Sequence, residues 1–159
     1  MCLGDPLGSL PDLASTLGNA LAPDWRVIAL APRPELPYQA QAVETLRLLD
    51  TFGFEQPVLL GSGLASGVAL LLAAWYPNLV DGLILVNPGL TRARRHKLAI
   101  LAADTPAWRA WLDAPPAWAR VESQVTCPVL RLPARTSAPT VEPARAFLHR
   151  LRLQRTRQR

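Results

Sequence analysis

Apolar residues in this chain fall into short unbroken blocks separated by stretches of helical period, not into alternating apolar and polar positions. Four blocks, WRVIALA at 25–31, PVLL at 57–60, VDGLILVNP at 80–88 and CPVLRLP at 127–133, read as strands buried on both faces. Between them lie helix patterns. Residues 11–22 bring Leu13, Leu17, Ala20 and Leu21 to one face with Asp12 in the first turn. Residues 38–52 bring Ala42, Leu46 and Leu49 together, keep Gln39, Glu44 and Arg47 elsewhere, and leave Gly53 to cap the end. After PVLL comes a small-residue turn at 61–65. A helix then runs to about Tyr76, apolar nearly all round, and it must be covered on more than one side. Residues 141–153 form a closing helix. Short apolar strands alternating with helices predict an α/β fold, a three-layer arrangement in which a mostly parallel sheet is flanked by helices.

Residues 91–124 differ in texture. The basic run TRARRHK leads into a segment where Trp108, Trp111 and Trp118 crowd together with Pro106, Pro115 and Pro116, which reads as an insertion of short helices between two strands. The expected organisation is therefore one domain over 1–159, with that insertion at 91–124 and a basic tail at 150–159. No repeat of solenoid length is present.

Composition narrows the class. Half of the 159 residues are apolar and 18% are charged, enough for a real core and too apolar for a disordered chain. The formal net charge of +5 is carried almost wholly by arginine, since Lys97 is the only lysine. Arginine suits bidentate contact with carboxylates and phosphates. Cys2 and Cys127 supply neither a disulfide framework nor a metal quartet, and no cofactor is implied. The opening MCLGDPLGSLPD has an aspartate and prolines where a secretory signal needs a basic start and an apolar run, so the expected location is the cytoplasm. Residues 56–80 hold no charge, and 58–76 would score as a membrane span on hydropathy alone. Gly61, Ser62, Gly63, Ser66 and Gly67 interrupt that run and Pro57 and Pro77 bracket it, which fits a strand, a tight turn and a buried helix, with no transmembrane segment.

The unit PVLL, GSGLA, SGVALLLAAWYP, VDGLILVNP resembles the α/β-hydrolase family, in which a strand ends in a small-x-nucleophile-x-small turn and a helix follows at once. The likeness extends over nearly the whole chain. GDPLGS at 4–9 is similar to the family's glycine-rich oxyanion loop, DWRVIALAPRPE to its next strand and loop, and AVETLRLLDTFGFEQPVLLGSG to the helix and strand leading into the elbow. NPGL stands where the family leaves the sheet for its cap, and the segment from SQVTCPVLRLP onward looks like the strand and helix after the cap. The insertion at 91–124 then corresponds to a short cap remnant.

The resemblance also assigns roles, and the chain departs from each of them. Gly61 and Ala65 take the small positions of the elbow, which puts Gly63 at the nucleophile position, and glycine has no side chain with which to attack. Shifting the nucleophile to Ser62 or Ser66 would place leucine or valine at the small positions. These serines read instead as a turn hydroxyl and a residue of the first helical turn. The acid position falls in ARTSAP, with Ser137 near the expected place, and Glu142 reads as a first-turn residue of the last helix, suited to its dipole. His149 reads as a helix-surface residue and His96 as a solvated member of a basic cluster. Gly4, Asp5 and Leu64 are what remains of the oxyanion loop, with Leu3 where the family usually has histidine. Little sequence precedes Gly4, and Arg159 comes before any strand that would carry the catalytic histidine, so a reduced sheet is expected.

These departures imply a hydrolase-like protein without a working triad, a binding or structural subunit held in a homo-oligomer or larger complex. Exposed sheet edges and apolar helix faces would need such a partner. Three other readings follow from particular residues. Asp5 and Glu35 could hold a water in an esterase-like hydrolase with a non-standard site. The turn GSGLASG lies one residue off a dinucleotide-binding pattern, without the acidic residue that should end the next strand. Arg92, Arg94, Arg95 and Lys97, with Arg150, Arg152, Arg155, Arg157 and Arg159, could bind RNA, another anionic surface or a protein partner.

Overall fold

The computed structural model describes residues 2–3, 20–21, 24–26, 28–30, 33, 36–62, 65–86, 118–132 and 138–158. In chain order its elements are β1 (Cys2–Leu3), β2 (Ala29–Leu30), α1 (Tyr38–Thr51), β3 (Val58–Ser62), α2 (Ala65–Trp75), β4 (Gly82–Val86), α3 (Trp118–Ser123), β5 (Val129–Leu132) and α4 (Ala138–Gln158). The strands form one parallel sheet in the order β2-β1-β3-β4-β5.

Four strands were expected, and a fifth is present. Cys2 and Leu3 lie inside the sheet between β2 and β3, with Cys2 paired to both Ala29 and Leu60 and Leu3 to both Leu30 and Gly61. Two residues carry no readable period, which is why the pattern of the chain does not reveal them. The block 25–31 contributes only Ala29–Leu30 among the described residues. Its first part is spent on a turn, since the backbone N–H groups of Asp24 and Trp25 both donate to the Leu21 carbonyl, at 3.0 and 2.9 Å. Strand β3, conversely, runs past PVLL through Gly61 and Ser62, which pair with Leu85 and Val86 of β4. The turn before α2 is shortened accordingly.

Side chains alternate across a strand, so a buried parallel sheet feeds two cores. Leu59, Leu83 and Leu85 join Ala42 and Leu49 of α1 and Val68, Ala69 and Leu72 of α2 on one face. Leu60, Ile84, Val86 and Leu132 join Ala144, Phe147, Leu148 and Leu151 of α4 on the other. Helices thus cover both faces and complete the three layers. Helix α2 is buried from Ala65 to Ala73, as its all-round apolar surface requires, and packs against α1, α3 and the sheet. Each large aliphatic side chain so buried contributes about 1.5–3 kcal/mol. No helix among the described residues is long and apolar enough to cross a membrane.

Helix ends follow local chemistry. Helix α1 stops where Gly53 adopts φ 64°, a left-handed conformation that glycine takes at little cost. The Arg26 guanidinium donates to the Phe52 carbonyl at 2.9 Å and lies 5.0 Å from the Phe54 ring centroid, placing positive charge at the negative end of α1. Helix α4 is longer than residues 141–153. It starts at Ala138, which moves Glu142 out of the first turn, and the helix-dipole role expected for that carboxylate does not apply. Glu142 is exposed and pairs instead with Arg145, one turn on, at 3.5 Å. At the other end the helix continues through residues 150–158, where a basic tail was expected.

Candidate functional site

In the order β2-β1-β3-β4-β5 the chain moves one way from β1 to β2 and the other way through β3, β4 and β5. Strands β1 and β3 therefore flank a switch point, and a crevice for ligand opens outside the carboxyl ends of strands at such a point. Leu3 and Ser62 end these two strands.

The turn from β3 into α2 is unusually tight. A Cβ built on Gly61 would lie 2.6 Å from the Ser66 Cα, 2.9 Å from the Ala65 carbonyl oxygen and 2.9 Å from the Ser66 nitrogen, all backbone atoms that cannot yield. Only glycine fits there. Ala65 is fully buried, so Gly61 and Ala65 do fill the two small positions that a strand–turn–helix elbow demands. Ser66 lies beneath the turn, 2% exposed, and its hydroxyl donates to the Gly61 carbonyl at 3.0 Å. That bond supplies the buried hydroxyl with a partner. Ser62 is the last residue of β3, half-buried.

No family model matches the sequence, and no curated protein matches it. Solved structures do match. An alpha/beta hydrolase enzyme, MGS-MChE2, from a sediment metagenome of the lagoon of Mar Chica in Morocco superposes with a TM-score of 0.59 at 13% identity, covering 98% of this chain and 90% of its own. The haloalkane dehalogenase loop variant DbeA-M1 from Bradyrhizobium elkanii gives 0.61 at 12% identity, over 99% and 91% of the two chains. The enol-lactonase from Burkholderia xenovorans LB400 gives 0.52 at 13% identity, over 92% and 86%. The chain has the α/β-hydrolase fold. At these identities the likeness establishes architecture, while chemistry has to be argued from the residues that this fold presents.

Several residues singled out by this fold's motifs, Gly4, Asp5, Glu35, Gly63, Leu64, His96 and Ser137, lie outside the described residues, as do Arg92, Arg94, Arg95, Lys97 and Arg159. Of the others, His149 is exposed on α4, as expected. Arg150, Arg152 and Arg157 are exposed on the same helix. Arg155 is not a solvated tail residue. Its Nη2 donates to the Gln56 backbone carbonyl at 2.9 Å and to the Gln56 side-chain oxygen at 2.8 Å, and its Nε lies 3.1 Å from Asp81 Oδ2. Sequence reasoning missed this cluster because its members are 25 to 99 residues apart and none stands in a motif. It sits at the amino-terminal ends of β3 and β4, opposite the switch point. Among the described residues no group of histidine, cysteine and carboxylate side chains could hold a metal ion. Cys127, just before β5, is half-buried, and burial pushes its thiol up to about 11, with the Asp81 carboxylate adding to the shift.

Proposed function

We propose that this chain is a non-catalytic protein of α/β-hydrolase fold that serves as a binding or structural subunit of an oligomer or larger complex. The observation that carries this reading is the elbow. Strand β3 ends at Ser62 and α2 begins at Ala65, so the sequence leaves Gly63 and Leu64 for the turn where a hydrolase of this fold needs its nucleophile. The Ser66 hydroxyl is buried and bonded to Gly61, and a nucleophile at Ser62 would put Leu60 and Leu64 at the small positions. Without a nucleophile and its base, acyl transfer has no reacting group. Support for a partner comes from the surface: Val129 on β5 and Trp75 and Tyr76 at the end of α2 are exposed apolar side chains on a small domain.

Two measurements test it. Incubation with a fluorophosphonate probe and with a short-chain nitrophenyl ester should give no labelling and background turnover. Labelling at Ser62 or Ser66, or turnover lost in Asp5→Asn, would overturn the non-catalytic reading in favour of a hydrolase with a non-standard site. Native mass spectrometry of the protein from extract should find it in an assembly. A monomer stable at micromolar concentration would remove the subunit role.

A second reading rests on Arg150, Arg152 and Arg157, exposed along α4 with no acidic partner among the described residues. With the cluster at 92–97 they suit an anionic surface such as RNA. Binding to RNA that falls steeply with added salt would support it, and no affinity at low salt would exclude it.

A further inference from the structure

We infer that the amino-terminal ends of β3 and β4 form a second binding site, for a small monocarboxylate with an aromatic or branched aliphatic body. A cavity of about 210 Å³ opens there, between β3, β4 and α4. Its polar groups gather at the end of β3 and β4 away from the elbow, while its floor reaches along β3 only as far as Leu60. This site does not depend on the non-catalytic reading, because it shares no residue with the turn.

The cavity has the build of a ligand pocket, with apolar walls and a few convergent polar groups. Leu60, Ile84 and Leu148 make its floor where the sheet meets α4, and Trp25 and Phe54 add two aromatic rings. The polar groups are Arg26, Gln56, Asp81 and Arg155. Two guanidiniums against one carboxylate leave one positive charge unmatched among these lining residues. That selects a monoanion, since a dianionic phosphate would set surplus negative charge beside Asp81.

Arg155 is held ready for such a group. Its Nη2 is used twice by Gln56, and its Nε approaches Asp81 at 3.1 Å but off the line of a hydrogen bond. Neither N–H of Nη1 is engaged by a described residue. Of the five donors of Arg26, one is spent on the Phe52 carbonyl. The two guanidiniums thus retain donors for a carboxylate, the acceptor whose planar geometry they match best. The volume admits one ring with a short side chain and excludes a drug-sized molecule.

The probe is 3-phenylpropionate, compared by calorimetric titration of the full chain with its uncharged isostere 3-phenylpropanamide. The acid should bind saturably, with the amide about tenfold weaker or more. Arg26→Gln, at an exposed position, should lower affinity for the acid by about the same factor and leave the amide unchanged. Gln56→Trp should close the mouth and abolish binding of both, with melting curves confirming that each variant is folded. Equal affinities for acid and amide, no saturable binding of the acid at millimolar concentration, or binding unaltered by both substitutions would each overturn the proposal. If Arg26→Gln fails to fold, the acid–amide comparison and Gln56→Trp decide it alone.

Discussion

The hydroxyl of Ser66 reaches back across the elbow to the carbonyl of Gly61, 3.0 Å away, while the Cα of Gly61 presses so closely on Ser66 that no side chain fits between them. Each half of this relationship has its own cost when removed. Gly61→Ala would drive a Cβ to within 2.6–2.9 Å of backbone atoms, so strand and helix must separate, and a loss of about 3 kcal/mol or more is expected in denaturant unfolding. Ser66→Ala removes one buried hydrogen bond at nearly constant shape and should cost about 1 kcal/mol. Any ester turnover should be unchanged in Ser66→Ala, since that hydroxyl faces the core.

Gly82 offers a contrast on β4. A Cβ there would meet the Leu151 Cδ1 at 2.8 Å and the Phe147 ring at 3.3 Å, both ends of side chains on α4. A leucine methyl can rotate where a backbone cannot. Gly82→Ala should therefore cost about 1–2 kcal/mol, less than Gly61→Ala. The pair Gly82→Ala with Leu151→Ala should be less destabilised than the sum of its single variants, which a double-mutant cycle by denaturant unfolding would read. Strict additivity would mean that α4 does not sit on β4 as described.

The two glycines also mark what the sequence makes legible. The elbow was readable because its steric demand fixes residue types within five positions, Gly61 and Ala65 about a short turn, and because continuous apolar strands beside an all-round apolar helix allow few packings. The two-residue strand β1 was not readable, since its place in the sheet comes from partners at Ala29 and Leu60, far along the chain. The polar cluster at the opposite end of the sheet escaped for the same reason. Arg155, Asp81 and Gln56 are unremarkable singly, and helix α4 outruns its apolar pattern because that cluster holds its last turns to the sheet.

That anchoring predicts a local effect. Arg155 and Asp81 are partly exposed, at 41% and 23% for their side chains, so the pair is screened and Asp81→Asn should cost no more than about 1 kcal/mol globally. Its effect should be concentrated in the last turns of α4. Hydrogen exchange at residues 152–158 should accelerate in Asp81→Asn, while exchange in α2 stays unchanged. Uniform acceleration would place the pair in the global core instead of at a helix end.

Asp81 has a second neighbour in Cys127, and the consequence is a pH dependence. Burial first, and then the Asp81 charge, raises this thiol to about 11 from an ordinary value of 9.0. The thiolate is the reactive form. At pH 8 Cys127 should thus be alkylated by iodoacetamide far more slowly in the folded protein than in denaturant, with the folded-state rate rising toward pH 11, as peptide mass mapping of the Cys127 adduct would read. Because the folded-state value is raised, the fold favours the neutral thiol. The stability tied to it is fully present below pH 9 and is lost as pH rises from there through 11. Cys127→Ser, whose hydroxyl does not ionise in that range, should show a shallower fall in melting temperature over the same interval. Asp81→Asn, which removes only the smaller contribution, should shift the alkylation profile slightly toward lower pH, and a profile already centred near 9 in the unaltered protein would contradict the burial of this thiol.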